Sequence, residues 1–209
     1  MRAIPILGID PSMANFGLAR MLLDLDTLDL TAESVRTIST EPQRGNKKVV
    51  RQNSDDLRRG RELFVGFQEA AKGCIVGFTE VPSGSQHSRS ALGFGMSIGI
   101  LASSPIDLIE VMPLETKMAS VGKKTAEKHE IVAWAAGLYP NMPWLRYESD
   151  VKPSKKCPEG RSAGDLHDDN EHMADACAVV HAGIRTVQFK QLLSIWRAST
   201  ANFLAVQQG

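Results

Sequence analysis

The fold of this chain is decided near its start by the stretch Ile4-Pro5-Ile6-Leu7-Gly8-Ile9-Asp10. Its nearly continuous apolar character is typical of a buried core strand. Turn-forming residues follow, and a second apolar stretch runs from Phe16 to Leu23. Asp10 therefore lies at the C-terminal end of a buried strand, where a carboxylate either binds a hard cation or caps the turn.

Further chemically active residues occupy comparable positions later in the chain. A second predicted strand, Cys74–Thr79, is followed directly by Glu80. Far downstream, a predicted helix carries His172 and Asp175, whose spacing places both on one face. Two strand-end carboxylates and a helical His–Asp pair are the kind of group that two-metal phosphodiester cleavage requires.

The bulk composition suits a globular protein. At 209 residues, with 43% hydrophobic and 23% charged residues, the chain is long enough to bury a substantial core. No apolar run reaches the roughly 18 residues of a membrane span, and the N-terminus lacks a signal-peptide pattern. The cysteines at 74, 157 and 177 form no CxxC pair, which favours reduced thiols and a cytoplasmic protein.

Charge is balanced overall but unevenly distributed. The 24 Lys and Arg residues equal the 24 Asp and Glu residues in number, so the total charge does not indicate nucleic-acid binding. Basic residues nevertheless gather between 36 and 61 and again between 117 and 128. Such runs are either solvated faces or, on a neutral protein, a basic surface for an acidic partner.

The predicted elements are strands first, then alternating helices and strands. Predicted strands span 4–10, 16–23, 28–39, 74–79 and 107–112. Predicted helices span 88–102, 124–138, 171–186 and 187–206, and the proline-rich segment 142–164 is predicted to be a long loop. An earlier helix is expected to have its N-cap at Ser54 and an apolar stripe made of Leu57, Leu63, Phe64, Phe67, Ala70 and Ala71. We expect one domain over 1–209, with a core at about 4–186 and a C-terminal helical extension at about 187–209.

This order of elements is the ribonuclease H-like arrangement, an α/β fold with a mixed five-stranded sheet flanked by helices. Within it, the residues resemble the RuvC family of Holliday junction resolvases in four blocks that follow the family's order. The blocks are Gly8-Ile9-Asp10-Pro11-Ser12 with Gly17-Leu18-Ala19; Glu80 with Ser90-Ala91-Leu92 and Gly99; Lys117, Val121 and Gly122 with Ala126-Glu127-Lys128; and His172-Met173-Ala174-Asp175-Ala176-Cys177-Ala178. The resemblance covers most of residues 4–186, and the compact length and irregular loops look most like the bacteriophage members.

Some parts of the chain depart from the family pattern. Segments 40–53 and 145–170, and the tail after Thr186, fit the bacterial members poorly. The loop after the second acidic residue offers Gln86 and His87 where the family has an aromatic residue that probes the junction. The resemblance therefore rests on the four blocks and not on these segments.

The resemblance implies a structure-selective, metal-dependent endonuclease that cleaves Holliday junctions and other branched DNA in recombination and repair. It implies two Mg²⁺ ions per active site, with Mn²⁺ as a substitute. The expected catalytic and metal-binding residues are Asp10, Glu80, His172 and Asp175. Asp10, on the central strand, is best placed to bridge both ions, with Glu80 on one ion and Asp175 on the other. A homodimer is expected, because two symmetric cuts need two sites related by a two-fold axis.

DNA contacts are expected around this site. The predicted DNA-binding residues are Lys117, Lys128, Lys123, Lys124, Ser85, Gln86 and His87. Within the resemblance, Lys117 and Lys128 contact the DNA backbone, and a lysine positions a phosphate without reading sequence. A bacteriophage member would act in the cytoplasm of the bacterial host, on branched replicated DNA.

Other interpretations of the same residues are open. Glu171 is a rival for the role of His172, or else a solvated acid in the first turn of its helix. Cys157, His167, His172 and Cys177 could hold zinc, although their spacing matches no usual Cys/His pattern. The alternatives at the level of function are a non-catalytic branched-DNA-binding protein of the same fold and an actin- or Hsp70-like ATPase, which would need a second, similar lobe.

Overall fold

One mixed sheet of five strands forms the centre of the protein. The computed structural model describes residues 3–43, 51–82, 84, 87–153 and 159–207, with side chains described up to residue 198. The strands are β1 (Ala3–Asp10), β2 (Asn15–Asp24), β3 (Leu30–Ser39), β4 (Val76–Thr79) and β5 (Asp107–Glu110). Their order is β3-β2-β1-β4-β5, antiparallel from β3 to β1 and parallel from β1 to β5. The predicted mixed sheet is confirmed.

Helices cover both faces of this sheet. They are α1 (Gln52–Ala71), α2 (Ser88–Ala102), α3 (Pro113–Ser120), α4 (Lys128–Leu138), α5 (Glu171–Gly183) and α6 (Val187–Gln207). Side chains of α1 and α2 pack with Leu7 and Ile9 on one face, and those of α4, α5 and α6 pack with Ile6 and Phe78 on the other. β1 is thus covered on both faces, which explains its continuous apolar sequence. None of the described helices combines the length and apolar character that crossing a bilayer requires.

Helix α5 lies across β1 and β2 at backbone contact distance. A Cβ atom added to Gly8 would collide with the carbonyl oxygen of Ala176, and one added to Gly17 would collide with that of His172. Only glycine fits at either position, because any side chain would push the helix away from the sheet. The inward face of α5 is made of small or β-branched residues that are fully buried, such as Ala174, as predicted. The two glycines thereby set how closely His172 approaches the sheet.

The first helix differs from its prediction at its start and on one face. α1 follows Arg51, which occupies the N-cap position without a side-chain cap, so the predicted N-cap at Ser54 is wrong. Leu57 and Phe64, predicted to face inward, are 62% and 39% exposed. They lie on one side of the helix, about 100° around its axis from the fully buried Leu63. The apolar stripe is therefore wider than the buried face.

The helices before the fourth predicted block also differ from the prediction. α4 begins at Lys128 and not at residue 124, because Glu127 takes the N-cap position and forms a capping box with Glu130. The sequence patterns gave no prediction for α3, which starts with Pro113 at its first position. α3 contacts Glu80, one of the predicted site residues.

The described parts of the segment 142–164, residues 142–153 and 159–164, carry more structure than the predicted loop. Isolated β-bridges join Arg146 to Leu166 and Val151 to Arg161. Next to the first of these bridges, the buried side-chain amide of Asn170 bonds both backbone groups of Leu145 at 2.8 Å. Leu145 is thereby attached to the start of α5, the helix that carries the predicted His–Asp pair.

Gly8→Ala and Gly17→Ala should each destabilise the protein, because a methyl group at either position collides with the backbone of α5. Gly95→Ala is the matched control, since a Cβ atom at Gly95 meets nothing within 4 Å. Urea unfolding should show losses of about 1–3 kcal/mol for the two sheet glycines and a gain of up to about 1 kcal/mol for the control. Equal effects at all three positions would contradict the close approach of α5.

Candidate active site

Two carboxylates leave the same edge of the sheet side by side. β1 and β4 are parallel neighbours with Ile9 opposite Thr79, so the next residues along each strand, Asp10 and Glu80, emerge together. The Asp10 side chain is 22% exposed, and Glu80 is half-buried. Both residues lie at strand ends, as predicted, and both are partly shielded from solvent.

The first turns of α5 bring two more side chains to this edge. His172 Nδ1 lies 2.6 Å from Asp10 Oδ2, a hydrogen bond between two largely buried side chains. Asp175 follows one turn later and lies close enough to Asp10 and Glu80 for both charges to raise its pKa. All four residues predicted for the site therefore come together in the structure.

Burial and like charge strongly perturb the two carboxylates furthest from solvent. Burial is the larger cause at Asp175, and the charges of Asp10, Glu171 and Glu80 add to it, which raises the pKa of Asp175 to about 7. Burial likewise raises the pKa of Glu80, against an opposing hydrogen bond from Thr116. Crowded, desolvated carboxylates of this kind are stabilised by a nearby cation.

The imidazole of His172 shifts in the direction that its neighbours dictate. Burial disfavours the charged ring, but the hydrogen bond and charge of Asp10, with the charges of Glu171 and Asp175, outweigh burial and raise the pKa of His172. The bond to Asp10 engages Nδ1, so it also fixes the orientation of the ring. His172 is thus held by the strand residue that the resemblance places at the centre of the site.

The donor set fits a divalent cation in its chemistry. Three carboxylates supply the hard oxygen ligands that Mg²⁺ prefers, and imidazole is accepted by Mn²⁺. Among the residues that the structure describes, no three His, Cys, Asp or Glu side chains already stand at the spacing of metal ligands. Within the described residues, the hydrogen bond from His172 engages Oδ2 of Asp10, and the one from Thr116 engages Oε1 of Glu80. Asp10 and Glu80 therefore each keep a second carboxylate oxygen for a cation. To bind that cation, the side chains would have to move closer together.

Thr116 belongs to the site, although sequence reasoning missed it. It is buried on α3 and donates its hydroxyl to Glu80 Oε1 at 2.5 Å. The helix could have been predicted from Pro113 at its first position and from Glu115, whose side chain accepts from the N-cap backbone. The contact itself joins residues 36 positions apart, and no local pattern encodes it.

Two of the predicted DNA-binding lysines lie near the carboxylates. Lys117 is half-buried on α3, and its charge acts to lower the pKa of Glu80. Lys128, at the start of α4, forms an ion pair with Glu171, the residue before His172. Glu171 lies in the first turn of its helix, as one sequence interpretation had it, but its carboxylate is only partly exposed and pairs with α4.

The remaining predicted contacts are further from these groups or outside the described residues. Lys123 forms an ion pair with Glu130 at 2.7 Å, and Lys124 is exposed. His87 is exposed at the N-cap position of α2. The residues outside the described part of the chain are Ser85, Gln86 and, of the zinc alternative, Cys157. Cys177, the other cysteine of that alternative, is fully buried in the core.

We compared the sequence and the structure with those of known proteins. No protein-family model and no curated protein matches the sequence. Among solved structures, Thermus thermophilus RuvC in complex with a Holliday junction substrate matches with a TM-score of 0.56 and 17% identity, over 86% of this chain and 92% of that chain. A second Thermus thermophilus RuvC structure matches with a TM-score of 0.53 and 17% identity, over 85% of this chain and 92% of that one.

These matches define the class of the fold. It is the ribonuclease H-like α/β class, with a mixed five-stranded sheet flanked by helices, and the predicted fold class is confirmed. Within that class, the fold is similar to that of Thermus thermophilus RuvC over most of both chains. At 17% identity the relation is one of fold.

Asp175→Asn should stabilise the metal-free protein in a pH-dependent way. Because the pKa of Asp175 lies at about 7 in the folded state and near 4 in the unfolded chain, ionisation of Asp175 opposes folding. The wild-type protein should therefore lose stability as the pH rises from about 4 to 7, and the variant should not share that loss. Thermal unfolding in EDTA should give the variant an advantage of about 2–4 kcal/mol at pH 8 and little at pH 4.

The control for this comparison is Asp29→Asn, which removes an exposed carboxylate. Asp29 lies in the β2–β3 connection, at the opposite end of the β1–β2 pair from Asp10. It should not reproduce the gain. If Asp175→Asn gives the same small difference at pH 4 and pH 8, neither burial nor the neighbouring carboxylates disfavour the charged form of Asp175 in the folded protein.

Proposed function

We propose that this protein is a metal-dependent, structure-selective endodeoxyribonuclease that cuts Holliday junctions and other branched DNA. The observation that carries the proposal is the meeting of Asp10, Glu80, His172 and Asp175 at one edge of a RuvC-like sheet. Two strands and one helix, distant in sequence, supply these groups to one partly buried place. A structural ion-pair network would also place acids together, but it would pair them with arginines or lysines, and here three carboxylates face one another.

The chemistry follows from the donor set. Bound divalent cations, two Mg²⁺ ions or Mn²⁺ in their place, would supply an activated water and neutralise the charge that develops on the phosphate. Asp10, on the central strand, would hold these cations together with Glu80 and Asp175. Thr116 holds Glu80 in place through its hydroxyl, so the carboxylate is oriented before substrate arrives.

His172 would act through the ring nitrogen that Asp10 does not engage. The Asp10 carboxylate accepts a hydrogen bond from Nδ1 of His172. Nε2 of His172 would then orient the attacking water or contact a cation. Imidazole ligates Mn²⁺ more readily than Mg²⁺. The same hydrogen bond would fix the tautomer of the ring, as carboxylate partners do for histidines at metal sites.

The substrate would be held through its phosphates. Lys117, close to Glu80, and Lys128, next to α5, would position the backbone without reading its sequence, and Lys123 and Lys124 would extend that edge. The segment after Glu80, which leads to His87, would lie beside the scissile strand because it leaves the sheet at the carboxylates. We further propose a homodimer, since two symmetric cuts need two sites related by a two-fold axis.

The finer placement of the protein follows from the same resemblance. The compact length and irregular loops favour a bacteriophage member that acts on branched replicated DNA in the cytoplasm of a bacterial host. The similarity to RuvC at 17% identity supports the fold on which this proposal rests, and the Thermus protein in that comparison is itself bound to a Holliday junction substrate.

A cleavage assay with labelled four-way, three-way and linear DNA tests the proposal. The wild-type protein should cut the four-way junction in Mg²⁺ or Mn²⁺ and not in EDTA, at paired positions on opposing strands. Asp10→Asn and Glu80→Gln should reduce cutting by more than about 100-fold, since loss of even a partner of a metal ligand costs about 10- to 100-fold. Junction binding should be nearly unchanged in both variants, because neither loses a cation that contacts phosphate.

The control is Asp107→Asn, which removes an exposed carboxylate at the start of β5, away from the site edge. It should cut at the wild-type rate. Binding without cutting by the wild-type protein would favour the alternative, a non-catalytic branched-DNA-binding protein. Unpaired cuts would contradict the symmetric dimer, and wild-type rates in Asp10→Asn would contradict the site.

A further inference from the structure

The ion pair between Lys128 and Glu171 joins a predicted phosphate contact to the active-site helix. Lys128 is the first residue of α4 and Glu171 the first residue of α5. Lys128 Nζ contacts Glu171 Oε1, with 73% of the lysine side chain and 24% of the glutamate side chain exposed. The glutamate directly precedes His172, so the lysine is tied to the helix that carries half of the proposed site.

The two partners differ in how well they suit their helices. A carboxylate at the start of a helix is favoured by the helix dipole, and a cation there is disfavoured. Glu171 therefore suits the start of α5, whereas Lys128 is placed against the local preference of α4. The capping box of α4 already engages Glu127 and Glu130. Lys128 thus has no role in capping its own helix and depends on an anion from elsewhere.

The surroundings of Lys128 identify Glu171 as its anion in the free protein. The cleft between α4 and the segment 159–171 holds about 970 Å³ and is lined by both kinds of charge. The acidic residues that line it are Glu127, Glu159, Asp165, Asp168 and Glu171. In the described residues, Arg161 pairs with Asp168 and Glu171 is the acid that pairs with Lys128.

The lysine end of this ion pair is exposed to water and the glutamate end is partly exposed, so the pair is weak enough to be exchanged. Pairs between exposed lysine and glutamate side chains contribute little, because water screens them and two long side chains must be held still. A DNA phosphate offers a stronger and more rigidly held anion at the same surface. A single ammonium group cannot fully neutralise both the phosphate and the Glu171 carboxylate. Phosphate binding at Lys128 must therefore weaken or replace the contact between Lys128 and Glu171.

We propose that Glu171 limits the affinity of the protein for DNA by competing with a backbone phosphate for Lys128. The inference rests on the proposed function, because it takes Lys128 as a phosphate contact. It assigns Glu171 a role different from that of its neighbour His172. Glu171 reduces the attraction between Lys128 and a DNA phosphate. It does so from the first turn of the helix that bears the active-site residues.

A double-mutant cycle separates this competition from a general effect of negative charge. Junction binding would be measured by fluorescence anisotropy in EDTA for the wild type, Glu171→Gln, Lys128→Ala and the double variant. Glu171→Gln should tighten binding about two- to five-fold where Lys128 is present and leave it unchanged where Lys128 is alanine. Both side chains lie at the surface of the helix starts, and melting temperatures would verify that each variant folds.

Glu127→Gln is the matched control, because it removes the same charge from the residue next to Lys128. Glu127 is 74% exposed, and its carboxylate lies 3.4 Å from His129 Nδ1. Glutamine at this position can still accept the capping hydrogen bond. Its effect on binding should be the same with lysine or alanine at position 128. The proposal is overturned if Glu171→Gln changes binding equally in both backgrounds or leaves it unchanged in both.

The same titrations distinguish failure of this inference from failure of the proposed function. A wild-type protein that binds four-way and linear DNA equally, yet shows the predicted coupling between positions 128 and 171, would support the competition and contradict junction selectivity. Junction-selective binding without coupling would contradict the competition and leave the proposed function standing. A wild-type protein that binds no DNA would overturn both.

Discussion

The close approach of α5 to the first two strands is the constraint on which the rest of the structure depends. Gly8 and Gly17 leave room for the backbone of Ala176 and His172 where any side chain would collide. Since Gly17 pairs with Asp10 across β1 and β2, the glycine that admits His172 lies directly beside the carboxylate that His172 bonds. Packing in the core and geometry at the site are therefore set by one helix–sheet contact.

That helix–sheet contact brings carboxylates together at the candidate site, and their mutual repulsion and burial destabilise the charged forms. Three carboxylates lie together in a partly buried place, which raises the pKa of Asp175 to about 7 and also raises that of Glu80. Thr116, Lys117 and His172 offset part of this repulsion without neutralising it. Sites that are strained in this way are typically functional, and a divalent cation is the partner whose charge would offset the remainder.

Sequence reasoning found the parts of this arrangement that local patterns encode. Apolar runs that end in Asp10 and Glu80 predicted both strands and their acidic ends, and the spacing of His172 and Asp175 placed them on one helix face. It failed at Ser54, which is a suitable N-cap by residue type, because α1 begins earlier, after Arg51. The contact of Thr116 with Glu80 and that of Glu171 with Lys128 join residues 36 and 43 positions apart. Single residues at such separations leave no periodic signal.

The proposed divalent-metal site is formed by α5 and the strand ends together. It is tested most directly by crystals grown with Mn²⁺ and measured at a wavelength where manganese scatters anomalously. We expect an anomalous peak bonded to the oxygens of Asp10 and of Glu80 or Asp175, with His172 either on the metal or on Asp10. Manganese bound elsewhere, with these carboxylates arranged as in the metal-free protein, would contradict it.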